Sequence, residues 1–262
     1  MLRGANCAKG MICVALCGVL PAAALGEIDL EFRPAAQGVF VGTVVEIGLY
    51  VVSDSTDDQL MAAADVILGW DPDYLRLLGN HQVGAVPLLV SGFPVGDPYG
   101  LNEVVPPQDG DGLYIAYAQL GVPVVATPAG ALLTTFRFEA LAETSETVVA
   151  ILPSAGSPLG YTVVYDGTVP GLDVTGTLGA AAVTVAVPCG DLNCDGLVNA
   201  FDIDPFVLAL TSPEVYVAQF PDCDIMRADI NGDGLINAFD IDPFVDCLVT
   251  GGWGSSRGDD DR

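Results

Sequence analysis

Asp and Glu number 34 among the 262 residues and Lys and Arg only 8, a formal charge of −26. A surface this negative repels nucleic acid and anionic lipid, which leaves cations, neutral polymers and other proteins as partners. With 51% hydrophobic residues the chain can fill a core, and its length accommodates one sandwich-sized domain plus a small module.

Residues 1–26 contain no acid, and Arg3 and Lys9 precede the apolar run "MICVALCGVLPAAALG". A basic start, about 15 apolar residues and then small residues is the layout of a secretion signal, and the run is short for a membrane span. Cleavage after Ala24 or Gly26 is expected, giving a secreted or cell-surface protein with no membrane insertion. Cleavage also deepens the negative charge, because Arg3 and Lys9 leave and no acid does.

From Glu27 onward short apolar or alternating runs are broken by Gly, Pro, Asp and Ser. Eight of them are candidate strands: "EIDLEFR", "TVVEIGLYVVS", "AADVILGW", "GLYIAYAQL", "ALLTTFRFEAL", "TVVAIL", "YTVVYDG" and "AAAVTVAV". Strands at this spacing, with turns such as "DPD" and "DGDG", predict a mainly β chain whose residues 27–186 form an antiparallel two-sheet sandwich. The stretch "DVILGWDPDYLRLLG" carries Trp70, Asp71, Pro72, Tyr74, Leu75 and Leu77 in a strand-turn-strand pattern that resembles cohesin domains. "LLTTFRFEAL" is similar to their later central strand. The resemblance implies a jelly-roll, cohesin-like sandwich, although the loop-rich segment from Gly79 to Gly112 departs from it.

Enzymatic chemistry has few carriers here. His81 is the only histidine, no G-x-S-x-G is present, and Asp71 with Asp73 or Asp109 with Asp111 sit in turns where carboxylates bond their own backbone. A non-enzymatic chain is expected. Polysaccharide is a second candidate partner, since exposed rings stack on sugar faces, and Trp70, Tyr74, Phe93, Tyr99, Tyr114 and Tyr117 are available. Along their strand, however, Tyr114 and Tyr117 point to opposite sides, and Trp70 ends an apolar run that belongs in the core.

The phrase "DLNCDGLVNAFDIDPFVLAL" from Asp191 returns as "DINGDGLINAFDIDPFVDCL" from Asp229. Both copies fit D-x-N-x-D-G-x-x-N-x-x-D, a twelve-residue calcium loop ending in Asp in place of Glu. Calcium takes oxygen ligands at irregular angles, so Asp191, Asn193, Asp195 and Asp202 offer side-chain oxygens, Leu197 its carbonyl, and Asn199 a contact through water. Asp229, Asn231, Asp233, Leu235, Asn237 and Asp240 take the same roles in the second loop, so two calcium ions are expected. Gly196 and Gly234 permit the sharp turns. Val198 is expected to point inward and pair with Ile236. Three carboxylates in each loop repel one another without the ion, which couples metal binding to folding.

Beyond the signal the cysteines are Cys189, Cys194, Cys223 and Cys247, an even set that makes two disulfides in one of three pairings. If the ends of this segment meet, the pairing is Cys189 with Cys247 and Cys194 with Cys223. A zinc site lacks both a C-x-x-C pair and a histidine.

Strand residues, Pro188 and Gly190 leave no helix before the first loop. "NAFDIDPFV" begins a helix after each loop, with Phe206 and Leu210, or Phe244 and Leu248, on one face. "SPEVYVAQFP" is a short helix capped at Ser212, started at Pro213 and stopped by Pro221. Two tandem loop-helix units without entering helices resemble the type I dockerin, over residues 187–250. That resemblance implies a small calcium-ordered helical module that docks onto a cohesin-type β-sandwich on another protein or on another copy of this chain, in either of two orientations. Its recognition positions fall here on Ala200 with Phe201 and Ala238 with Phe239. Of Phe201, Phe206, Phe239 and Phe244, two are expected in the core. Residues 251–262, "GGWGSSRGDDDR", form an acidic tail expected to be disordered.

Overall fold

Ile28, Leu30 and Phe32 are buried and the residues between them are not, the period-two pattern that makes a half-buried strand. In the computed structural model, which describes residues 26–168 and 171–252, that segment begins a two-sheet sandwich. Apart from Gly26, the secretion signal lies outside the described residues, as does the tail beyond Gly252.

The chain runs through β1 (Ile28–Arg33), β2 (Ala36–Phe40), β3 (Val44–Ser53), β4 (Gln59–Gly69), β5 (Leu75–His81), β6 (Leu88–Gly92) and β7 (Asp111–Ala118). It continues with β8 (Val124–Ala126), β9 (Ala131–Ala140), β10 (Thr144–Leu152), the small hairpin β11 (Ser154–Ala155) and β12 (Gly160–Tyr161), β13 (Val163–Asp166), β14 (Thr175–Leu178) and β15 (Ala180–Ala186). One sheet has the order β14-β1-β3-β9-β5. The larger has the order β2-β15-β10-β4-β7-β6, with β13 and β8 also paired to β4. All eight candidate strands are present.

The expectation of a purely antiparallel sandwich needs correction. β1 pairs with β14, and β2 with β15, in parallel. The first and last segments of the domain travel side by side and change sheets together, β1 to β2 beside β14 to β15. At the second crossing Gly179 donates its amide to the Leu30 carbonyl at 2.8 Å. A Cβ there would lie 2.8 Å from that carbonyl, so the close approach requires glycine.

Between the sheets Phe136 meets Tyr114 edge-on at 5.1 Å and Phe32 at 6.3 Å. Trp70 packs edge-on to Phe138 at 5.6 Å and is buried. It is a core residue, as its place at the end of an apolar strand implied. Trp70→Ala is expected to cost about 3–5 kcal/mol of sandwich stability. The urea midpoint measures this, and an unchanged midpoint would place the ring outside the core.

Val187 and Pro188 alone link β15 to a helical module of α1 (Ile203–Thr211), α2 (Pro213–Gln219) and α3 (Ile241–Thr250). The disulfides are Cys189–Cys247 and Cys194–Cys223, the pairing expected if the ends of the segment meet. Disulfides are the mark of a chain that folds in an oxidising compartment. Among the described residues no helix is long and apolar enough to cross a membrane.

Candidate metal centre and docking face

Each of the two repeated segments folds as a loop, a single 3-10 turn and a helix. Asn199 caps the turn Ala200–Asp202 with φ −156° and ψ −170°, and Asn237 caps Ala238–Asp240 with φ −155° and ψ −171°. Phe201 and Phe239 each donate their amide to the capping Asn Oδ1 at 2.8 Å. In return Asn199 N donates to Asp202 Oδ2 at 2.9 Å and Asn237 N to Asp240 Oδ2 at 2.8 Å, closing a reciprocal capping box. Gly196 and Gly234 hold φ of +84° and +85°, the left-handed turn that the sixth position of each loop demands.

Asp202 and Asp240, the last residues of the two loops, are fully buried. Besides the cap, Asp202 Oδ1 accepts from the Leu192 and Asn193 amides, and Asp240 Oδ1 accepts from Asn231 N. Each carboxylate thus ties the beginning of its loop to its end. Asp195 and Asp233 accept from Leu197 N and Leu235 N, and Asn193 and Asn231 from Asp195 N and Asp233 N. These are turns in which side chains bond nearby backbone. Among the described residues, no three His, Cys, Asp or Glu side chains converge as a ready-made metal cluster.

The two loops differ at their first position. Asp229 accepts from Asp233 N and Gly234 N. Asp191 is almost wholly buried, its Oδ2 lies 3.3 Å from an Arg227 guanidinium nitrogen, and its buried Oδ1 has no hydrogen-bond donor. Burial raises the Asp191 carboxyl above its usual range, against the lowering by the Gly196 amide and Arg227, and Asp202 and Asp195 push it up further. In donor chemistry the residues suit a hard divalent cation: each loop offers three carboxylates, two amide oxygens and a carbonyl, and the first keeps an orphaned carboxylate oxygen. The role of Arg227 was not read from the sequence, where its one signal was being the lone base in an acidic segment.

At the fourth position the second loop has Gly232 at φ +72°, while the first has Cys194 at φ +55°. A left-handed non-glycine residue costs about 1 kcal/mol, and the bond to Cys223 holds Cys194 there. Val198 and Ile236, expected to pair, each have further neighbours of their own. Ile236 packs on the helical core, whereas a Cβ on Gly252 would lie 3.0 Å from Val198 Cγ2 and 3.4 Å from the Phe40 ring.

Phe206 and Phe244 are buried and stack face to face at 4.0 Å, 11° from parallel, where the two units meet. Phe201 and Phe239 are 79% and 77% exposed. Two of the four rings are core, as expected. Ile203 and Val207 extend the first exposed stripe, and Ile241 and Val245 repeat it on the second unit with matching exposure.

On the sandwich, His81 accepts from Val83 N through Nδ1, and its Nε2 lies 3.5 Å from Glu46. Asp71 accepts from Asp73 N, a turn bond. Tyr114 is buried, donates or accepts a hydroxyl bond with Ser91 at 2.7 Å, and burial pushes its pKa up to about 12.

No protein-family model matches the sequence. A search of characterised proteins found no match either. Among solved structures, the chain is similar to the sixth cohesin of scaffoldin B from Acetivibrio cellulolyticus, crystallised with a Cel5 dockerin mutant, at 14% identity and TM-score 0.43 over 62% of this chain and 99% of that one. It is also similar to a cohesin module of a family 33 glycoside hydrolase from Clostridium perfringens, at 12% identity and TM-score 0.43 over 62% and 98%. A cohesin from Clostridium thermocellum, solved in a cohesin–dockerin complex, matches at 10% identity and TM-score 0.43 over 61% and 99%.

Proposed function

We propose that the chain is a secreted, non-catalytic assembly protein whose C-terminal module is of the type I dockerin kind, binds two calcium ions, and docks onto a cohesin-type β-sandwich of another protein. The observation that carries this reading is the duplicated apolar stripe, Phe201, Ile203 and Val207 against Phe239, Ile241 and Val245, presented twice with nearly equal exposure. A single fold does not leave two phenylalanines in water at symmetric positions for the sake of its own core. Asp191, Asn193, Asp195, Leu197, Asn199 and Asp202 would hold one ion, and Asp229, Asn231, Asp233, Leu235, Asn237 and Asp240 the other. When bound, calcium supplies the positive charge that offsets three carboxylates in each loop. The capping boxes then deliver each Phe at the start of its helix, and the Phe206–Phe244 stack sets the two stripes in a fixed relation.

The test is calorimetric titration of the chain from residue 27 onward with calcium, followed by binding to cohesin-type domains and, by light scattering, to further copies of the chain. Two calcium ions per chain are expected, and docking only in calcium. Phe201→Ala or Phe239→Ala alone should leave docking affinity within about twofold, because the other face remains, whereas the double variant should lose about 100-fold, the scale of an aromatic hot spot. Docking in chelator, or its loss on one substitution, would contradict the reading. A mass that rises with concentration only in calcium would identify the partner as another copy.

A further inference from the structure

Tyr117 on β7 and Tyr165 on β13 stand opposite the same residue, Ala63, on the two sides of β4. Their chain neighbours Ala116, Ala118 and Val164 lie in the core, so both rings point to the outer face of the larger sheet, where they are 37% and 38% exposed. Residues opposite one another share a face, and two strand spacings separate the bases of the rings by roughly 9.5 Å. Only the Ala63 methyl group lies between them. Val90 on β6 continues the row beyond Tyr117.

One step along β4, Asp65 faces the same way, since Ala64 and Val66 fill the core. Burial raises its carboxyl above the usual range, and no described residue donates it a hydrogen bond. Burial, and then Asp65, Tyr165 and Tyr99 in that order, raise the Tyr117 phenol, so these groups are neighbours. A half-buried carboxylate beside two exposed rings is placed to accept from the hydroxyls of a ligand lying on them.

We infer that Tyr117, Ala63 and Tyr165, with Asp65, form a platform for a neutral polysaccharide chain of equatorially linked pyranose rings. The rings offer flat faces to the C–H surfaces of sugars about two units apart, and Asp65 accepts from the hydroxyls between them. A row of two exposed rings suits an extended chain, and the negative charge of the protein excludes acidic glycans. The site goes beyond the docking reading and does not rest on it, since it uses the sandwich alone.

The charge on Asp65 supplies an independent readout. Its raised folded pKa means that its contribution to stability is complete below the usual carboxylate range and lost as pH rises through the folded value. At neutral pH the ionised group is a liability, so Asp65→Asn should raise the melting temperature while weakening the glycan.

The experiment is calorimetric titration of the chain from residue 27 onward with cellohexaose, xylohexaose and mannohexaose, with polygalacturonate as the acidic probe. At least one neutral hexasaccharide should bind, and polygalacturonate should not. Tyr117→Ala and Tyr165→Ala should each weaken binding about tenfold with melting temperature held, while Tyr165→Phe, which keeps the ring, stays within about threefold. The double variant Phe201→Ala, Phe239→Ala should bind the glycan as the parent does, which separates this site from the docking face. The inference is overturned if no neutral hexasaccharide binds, if polygalacturonate binds equally, or if removing the rings changes nothing. Self-association lost with Tyr165→Ala, without glycan binding, would overturn it in favour of a protein contact.

Discussion

Reduction of the disulfides in the presence of chelator is expected to unfold residues 187–250 while the sandwich stays folded. Cys189–Cys247 spans 58 residues and encloses Cys194–Cys223, which spans 29. Closing the larger loop limits the unfolded chain by about 4 kcal/mol, and the nested bond adds less than it would alone. A segment of this size has a folding stability on the order of 5 kcal/mol, and its core is a small cluster around Leu192, Phe206, Ala209, Tyr216 and Phe244. Removing both cross-links therefore takes most of what holds it. Calorimetry should show two transitions in the oxidised protein and one after reduction in chelator, with Trp70 fluorescence still native. A second transition that persisted unmoved would mean that the helical core suffices by itself.

Asp202→Ala is expected to cost the module about 3–5 kcal/mol even without calcium, because it strands the Leu192, Asn193 and Asn199 amides at a buried point. Asp240→Ala strands two, those of Asn231 and Asn237, and is expected to cost about 2–3 kcal/mol. Urea unfolding in chelator measures both, and repeating it in millimolar calcium adds the contribution of each ion. Losses below about 1 kcal/mol in chelator, with the damage appearing only in calcium, would make these carboxylates ligands and nothing more.

The same two residues show how far the sequence could be read. Spacing marked Asp202 and Asp240 as the ends of two loops, and both do close them. Their capping of the following helix was less visible, because the asparagine, the aspartate and the amides they exchange belong to two overlapping patterns. Most of the strands that were foreseen are long ones with several inward residues, such as Val44–Ser53 and Ala131–Ala140, and the four-residue Val163–Asp166 was foreseen as well. β2 and β14 were not, being short, glycine-containing and held by parallel pairing with distant segments. The tyrosine row was hidden for a related reason. Tyr117 and Tyr165 are 48 positions apart and meet only because both strands pair with β4, whereas period-two reasoning compares residues along one strand. Asp65 was the available signal, an acid in the middle of the apolar run "AADVILGW".

The way the module is fastened also determines how the molecule bears tension. A pull on the helical module reaches the sandwich through Pro188 and Val187 into β15, which is laced lengthwise to β10 on one side and β2 on the other. Such a strand must slide along two ladders at once, the geometry in which hydrogen bonds resist as a group. On the module side, Cys189 is bonded to Cys247 in α3, so a load that enters through α3 passes to the sandwich without crossing either acidic loop. One covalent bond thus gives α3 a direct path to β15.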